Sequence, residues 1–296
     1  MDSFAKRLAV VTGGGSGMGR ELVVQLAAEG ASVAMCDVSA SSMEDTMTRC
    51  VETVGGEQVR DRLTSHICDV SDEHQMMRFR DEVMAQHETD HIHLLFNNAG
   101  IGGGGSFLTD DRSAWERTFD ICWGGVYLGC RAFVPLVVAA EEGHIVNTAS
   151  VNGFWASIGV NRPHTAYAAA KFAVKGFTEA LITDLRIHAP HVRCSVVMPG
   201  HIGTEIVGNS MMLQTGGSGP EITERSNAFR NNAPTTAAEA ATIILDGVRA
   251  GEWRILVGDD AHVLDALVRD DPRGAYESAF VRRMHEQGAL EFLVAE

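Results

Sequence analysis

Leu8-Ala-Val-Val-Thr12 runs directly into Gly13-Gly-Gly-Ser-Gly-Met-Gly19, and the residues from Arg20 onward read as a helix. A strand that turns on glycines into a helix is a narrow constraint on the fold. The glycines let the backbone reverse tightly and approach a ligand closely, while the unpaired N–H groups and the dipole at the helix start attract phosphate. A glycine string alone says little; here the strand and the helix that such a turn requires stand on either side of it.

The alternation continues along the chain. Apolar runs at Ser32–Cys36, Leu63–Cys68, Ile92–Phe96, His144–Thr148, Val192–Val197 and Trp253–Val257 alternate with helical patterns. Those patterns cover Glu21–Glu29, a stretch ending near Val54, Gln75–Gln86, Arg112–Ala140, Ala166–Ile187 and Ala237–Ala250. Strands that are apolar throughout and joined by helices predict a single-domain, Rossmann-like α/β fold, a doubly wound parallel sheet with helices on both faces. With 296 residues, 45% of them hydrophobic, the chain has material for one such core. We place this domain at residues 1–270. Ile101–Ser106 holds four consecutive glycines, and 211–234 is polar and rich in Gly, Pro, Asn and Ser. The second stretch reads as a long loop, and a substrate lid is expected over about 203–234. A helical extension, 271–296, carries Phe280, Met284, Leu290 and Phe292 and suits packing on a neighbouring subunit.

A formal charge of −15 argues against a nucleic-acid or anionic-membrane binder, because such proteins neutralise phosphates with clustered Lys and Arg. Met1–Arg7 leads straight into the first strand and leaves no room for a secretory signal. The longest apolar run, Ala132–Ala140, contains Pro135 and falls short of a bilayer. A soluble, cytoplasmic protein is expected. Cys36, Cys50, Cys68, Cys122, Cys130 and Cys194 form no CxxC pair and lie in apolar segments, as reduced, buried thiols do. His91 and His93 alternate on a strand without partners at metal-ligand spacing, so no metal site is expected.

Asp37 ends the second apolar run, where a carboxylate can accept hydrogen bonds from both hydroxyls of an adenosine ribose and repel a 2′-phosphate. Ser16 in the glycine turn offers no compensating positive charge, which favours NAD over NADP. An aspartate closing a strand is also an ordinary turn residue, and only the spacing separates the two readings. Further along, Tyr167 and Lys171 stand at i and i+4 on one helix face, so an ammonium can lie beside a phenol. A tyrosine working as a base near pH 7 to 8 needs its pKa lowered by roughly 2 to 3 units, about 3 to 4 kcal/mol in favour of phenolate. Lys171 is expected to supply much of that, and a positively charged nicotinamide ring over the same pocket the remainder. Tyr-Lys pairs at this spacing also occur on ordinary helices; the glycine turn gives this one its meaning.

Taken in order, Gly13-xxx-Gly17-x-Gly19, Asp37, Asp69-Val70, Asn97-Asn98-Ala99-Gly100, Ser150, Tyr167-xxx-Lys171 and Pro199-Gly200 resemble the classical short-chain dehydrogenase/reductase family over residues 6 to 260. The resemblance implies a dinucleotide held by Gly13, Ser16, Gly17, Met18, Gly19, Asp37, Tyr167, Lys171, Pro199 and Gly200. It further implies Asp69 and Val70 at the adenine, Asn98, Ala99 and Gly100 on the ribose side, and Ile202 and Thr204 at the nicotinamide carboxamide. In the implied mechanism Ser150 hydrogen-bonds the substrate oxygen, and Tyr167 takes the alcohol proton as hydride passes to the nicotinamide. Lys171 lowers the phenol pKa and anchors the ribose. The implied function is an NAD-dependent oxidoreductase interconverting a secondary alcohol and a ketone. The family also forms two-fold dimers through the helix that here carries Ala166, Ala169, Ala170, Ala173 and Gly176, and tetramers are frequent; the same small residues suit a contact within the chain.

Two departures stand out. Cys122 occupies the place where the family carries a fourth catalytic residue, an asparagine, and a thiol is a poorer donor and acceptor than an amide. If the asparagine works through its main-chain carbonyl, cysteine permits turnover; if not, proton relay slows. The interval from Ser150 to Tyr167 is also a few residues longer than is common, and Asn152–His164 holds Phe154, Trp155 and Ile158. These suit a roomy hydrophobic or aromatic pocket, and equally a core or an interface. His164 and His201 stand close enough in sequence to touch substrate, though partly exposed polar residues need no such role. Two rival functions remain, a catalytically weak or inactive dinucleotide-binding sensor or scaffold, favoured by Cys122, and a dehydratase or epimerase, which would need more substrate-domain sequence.

Overall fold

Every apolar run expected to be a strand pairs in parallel within one sheet. In the computed structural model, which describes residues 1–103, 105–159, 162–217 and 219–290, seven strands lie in the order β3-β2-β1-β4-β5-β6-β9. They are β1 (Leu8–Thr12), β2 (Ser32–Asp37), β3 (Leu63–Ile67), β4 (Leu94–Asn97), β5 (Gly143–Thr148), β6 (Val192–Pro199) and β9 (Arg254–Val257); β7 (Ile202–Gly203) and β8 (Thr235–Thr236) pair separately. The order reverses between β1 and β4, which opens a crevice at their carboxyl ends, the usual ligand position in open α/β sheets.

Alternation along each strand builds two cores. Leu8 and Val10 of β1 pack on one face with Leu95, Ile145 and Val196, whereas Ala9 and Val11 pack on the other with Phe96, Val146 and Val197. Helices α3 (Glu73–Gln86), α5 (Gly125–Ala139) and α6 (Thr165–His188) cover the first face, and α1 (Gly17–Ala28), α2 (Ala40–Val54) and α9 (Ala237–Ala250) the second. Local signals set the helix ends. Ser39 accepts from the Ser42 N–H at the start of α2, and Gly55, at φ 81°, closes it in the left-handed region that glycine tolerates. A reciprocal Thr236/Glu239 capping box starts α9.

The structure changes three expectations. The polar segment read as a loop folds into α7 (Ile206–Thr215) and α8 (Pro220–Asn231); Gly216 breaks between them in the left-handed region at φ 69°, and Pro220 sits at the first turn of α8, where its missing N–H costs nothing. Helix α4 (Arg112–Phe119) continues through one π turn, Asp120–Gly124, into α5, with Pro135 inside it. The resulting helix, Arg112–Ala139, is long and apolar enough to cross a bilayer by composition, but 56% of its apolar stretch is buried inside the protein as a core helix. Finally, the tail folds back on its own chain. Helices α10 (Asp259–Asp270) and α11 (Ser278–Glu286) pack Leu264, Phe280 and Met284, joined by Leu290 beyond α11, against Val151 and Trp155, whose indole N–H donates to the Ala275 carbonyl at 2.7 Å. Phe292 lies outside the described residues.

Candidate active site

Two adjoining cavities occupy the crevice. The first, about 520 Å³, is lined by Gly13, Ser16, Gly17 and Met18 of the glycine turn, Asp37 after β2, Asp69 and Val70 after β3, and Asn98, Ala99 and Gly100 after β4. The second, about 710 Å³, is lined by Ser150 after β5, Tyr167 and Lys171 of α6, and Pro199, Gly200 and Ile202 after β6. Met18, Asn98, Gly100 and Thr204 belong to both, so a ligand in one continues into the other. Thus the expected residues come together at one edge of the sheet. Among the expected residues Gly19 and Cys122 line neither cavity; a Cβ at Gly19 would stand 2.0 Å from the Gly13 carbonyl oxygen, so its role is to let α1 start against β1.

The first cavity fits a dinucleotide. Gly13 and Gly17 turn in the left-handed region, at φ 70° and 52°, and the Ser16 side chain makes no cap bond, leaving the N-terminal amides of α1 for a pyrophosphate. Buried Asn98 Oδ1 has no hydrogen-bond partner among the described residues and lines both cavities, an acceptor suited to a ribose hydroxyl. Asp37 accepts from the Gly15 N–H at 3.0 Å and the Ser39 N–H at 3.1 Å, which aims its carboxylate at the cavity rim. Two arginines join this lining that the sequence did not single out. Arg117 pairs with Asp69 at 2.9 Å, and Arg20 donates to the Gly15 carbonyl and, at 3.3 Å, to Thr46. Arg20 follows the glycine turn directly, a signal that was available.

In the second cavity a hydroxyl, a phenol and an ammonium meet. Ser150 caps a short 3-10 turn, Val151–Gly153, by accepting from the Asn152 N–H at 3.1 Å, so it is both a turn residue and a cavity hydroxyl. Glycine at 153 permits that turn to lie on α6, since a Cβ there would stand 2.9 Å from the Lys171 carbonyl oxygen. Burial pushes the Tyr167 phenol above its ordinary pKa, and a hydrogen bond from Ser150 opposes the rise. The expected lowering by Lys171 does not figure among the influences on the phenol, which burial dominates. Lys171 is itself buried, its pKa lowered by burial, and its ammonium donates to the Thr148 carbonyl at 2.8 Å.

Cys122 sits fully buried in the middle of the π turn, and its thiol donates to the Ile101 carbonyl at 3.1 Å. Single π turns recur at functional sites. Burial raises its pKa, so it is a neutral thiol at pH 7, opposed by the charge on Lys171. A Cβ at position 100 would lie 3.6 Å from Lys171 Nζ and 3.8 Å from Cys122 Sγ, so Gly100 packs directly over both groups. The three apolar residues of the long interval divide. Trp155 is core, Phe154 lies under the Arg254 guanidinium at 5.4 Å, and only Ile158 lines the cavity. His164 and His201 also line it. Burial lowers the His164 pKa to about 4, and His201 donates to the Phe229 carbonyl at 2.8 Å. Asp260, buried after β9, accepts from the His201 N–H at 2.6 Å and holds the Pro199-Gly200 turn; nothing in its sequence surroundings signalled this. All six cysteines are free and buried, and among the described residues no three His, Cys, Asp or Glu are placed to hold a metal.

A family model described as short chain dehydrogenase matches residues 7–212. SadH of Mycobacterium tuberculosis, provisionally named an oxidoreductase, is 35% identical over 270 residues, covering 91% of this chain and 92% of its own. Levodione reductase of Leifsonia aquatica is 36% identical over 210 residues, covering 70% of this chain and 74% of its own. A crystal structure of a short chain dehydrogenase/reductase from Burkholderia phymatum in complex with NAD superposes with a TM-score of 0.78 at 27% identity, covering 92% of this chain and 96% of its own. A metagenomic short-chain oxidoreductase crystallised with NADP has a TM-score of 0.64 at 26% identity, over 86% and 98% of the two chains.

Proposed function

Because this chain belongs to the short-chain dehydrogenase family, we propose that it is an NAD-dependent oxidoreductase interconverting a secondary alcohol and a ketone on a bulky apolar or aromatic substrate. The observation that carries this reading is the meeting of Ser150, Tyr167 and Lys171 in a cavity continuous with the dinucleotide cleft. A bound nicotinamide supplies the hydride acceptor or donor. The chain's own groups do the rest. Ser150 holds the substrate oxygen, Tyr167 Oη accepts or returns the proton, and Lys171 favours phenolate by its charge and is placed to reach the ribose. The sides of the cavity formed by Val151, Ile158, Val207 and Leu290 exclude water and favour an apolar substrate body.

Relatives carry NAD in one structure and NADP in another. Asp37 supports NAD, because its carboxylate opposes a 2′-phosphate while Arg20 is engaged with its own backbone. Cys122 remains the support for a weakly catalytic sensor; its bond to Ile101, which keeps the π turn beside Lys171, supports turnover instead. The exposed faces of α5 and α6, with Tyr127 and Phe172, suit a homodimer or homotetramer, and the six free thiols suit the cytoplasm.

The test is a screen of bulky cyclic and aryl ketones with NADH and NADPH side by side, and of the corresponding alcohols with NAD and NADP. Turnover with NADH ahead of NADPH is expected. Dinucleotide binding without turnover across the panel would favour the sensor instead.

A further inference from the structure

Among the described residues, three charged side chains line the second cavity, Arg162, Lys171 and Arg225, and no carboxylate does. The chain as a whole has the opposite balance, 39 acidic against 24 basic residues. Lys171 is committed to the Thr148 carbonyl. The two arginines come from separate elements and are exposed. Arg162 lies in the segment between Ser150 and α6 and makes no ion pair among the described residues. Arg225 lies on α8 with its side chain 65% exposed, and its acidic neighbour Glu221 is 4.0 Å away, an exposed i,i+4 pair that holds the guanidinium weakly.

A wholly apolar ligand would cover parts of two guanidiniums without offering either an acceptor. The remaining titratable lining does not change the sign. His164 is neutral at pH 7, and His201 is engaged with the Phe229 carbonyl. We infer that the substrate carries an oxyanion, a carboxylate or a phosphate, on its apolar body, and that Arg162 and Arg225 form the subsite that receives it. The planar guanidinium fork suits either oxyanion. The reactive carbonyl then lies against Ser150 and Tyr167, and in that half the inference rests on the proposed oxidoreductase function.

The experiment compares an aliphatic keto acid, its methyl ester and a keto-alkyl phosphate of equal chain length as substrates of the full-length protein with NADH. Arg162→Leu, Arg225→Leu and the double variant are assayed in parallel. Calorimetric binding of the saturated carboxylate, the saturated alkyl phosphate and the saturated methyl ester, none of which can react, is measured alongside. Each arginine removed is expected to lower the ratio of anionic to ester kcat/KM about tenfold, mainly through KM, as for loss of a charged hydrogen bond. Whichever anion gains most over the ester identifies the source. No preference for either anion over the ester in turnover or binding, or equal losses for all three in the variants, would overturn the subsite. Arginine-dependent anion binding without any turnover would support the subsite and remove the redox reading; turnover of the ester with no anion preference would do the reverse.

Discussion

Lys171 holds its ammonium over the Tyr167 ring, 5.4 Å from its centre, while donating to the Thr148 carbonyl, so the lysine faces the ring and spends its bond on the backbone. Burial raises the Tyr167 pKa, and the bond from Ser150 lowers it. Alcohol oxidation requires an unprotonated phenol, and a raised pKa keeps the proton on to higher pH. Oxidation is therefore expected to gain with rising pH through the alkaline range, while ketone reduction, which needs that proton, declines. Ser150→Ala removes the opposing bond and is expected to move the inflection in the kcat/KM profile upward by about one to two pH units. An inflection that stays in place, or moves down, would separate Ser150 from the phenol.

Tyr167→Phe keeps the ring and deletes only the acid/base oxygen. We expect kcat to fall by roughly 10²- to 10⁴-fold, the usual contribution of a positioned general acid or base. Dinucleotide binding, followed by NADH fluorescence, is expected to stay within about threefold, which is under 1 kcal/mol. Turnover at the parent rate would remove Tyr167 from the chemistry.

The strands were legible because apolar runs such as Leu8–Thr12 are buried on both faces, and the site because Ser150 follows β5 just where α6 brings Tyr167 and Lys171 alongside. Other parts were hidden for physical reasons. Helices α7 and α8 contain Gly, Ser, Asn and Thr, residues of poor helix propensity, and their local signals are confined to the left-handed Gly216 and to Pro220 in the first turn of α8. The π turn at Cys122 leaves no periodic mark among Cys122, Trp123, Gly124 and Gly125. The arginines of both cavities escaped notice because which charges share a cavity is decided by tertiary packing. The hydrophobic tail residues suggested an interface, and only the fold shows that Trp155 satisfies them within the chain.

Asp37→Asn tests the cofactor assignment; the Gly15 and Ser39 N–H groups donate to different carboxylate oxygens, and the single amide oxygen of asparagine can replace one of the two. The charge is lost together with one of those two bonds. The ratio of kcat/KM for NAD to that for NADP is expected to fall about tenfold, corresponding to about 1.4 kcal/mol. A ratio that stays constant while both cofactors weaken together would leave Asp37 as a turn residue alone.

His144 makes a prediction about stability that is independent of function. It is 1% exposed, its Nε2 lies 2.7 Å from Ser195 Oγ, and because that hydroxyl donates onward to the Glu252 carbonyl the imidazole is the donor in the pair. Burial lowers its pKa to about 3, and His93 is lowered to about 4 for the same leading reason. The folded state thus refuses protons that the unfolded chain binds near the ordinary histidine value of about 6.5. Above that pH neither state is charged and stability is unaffected; below it the unfolded state gains protons first, so stability falls as pH drops from about 6.5 towards 4. Over those 2.5 or so pH units a single fully buried histidine accounts for up to about 3 kcal/mol. His144→Gln is expected to be less stable at pH 7 yet to lose less of its remaining stability on acidification, measured by urea unfolding at pH 7, 6, 5 and 4. An unchanged pH slope in the variant would show that other groups control acid unfolding.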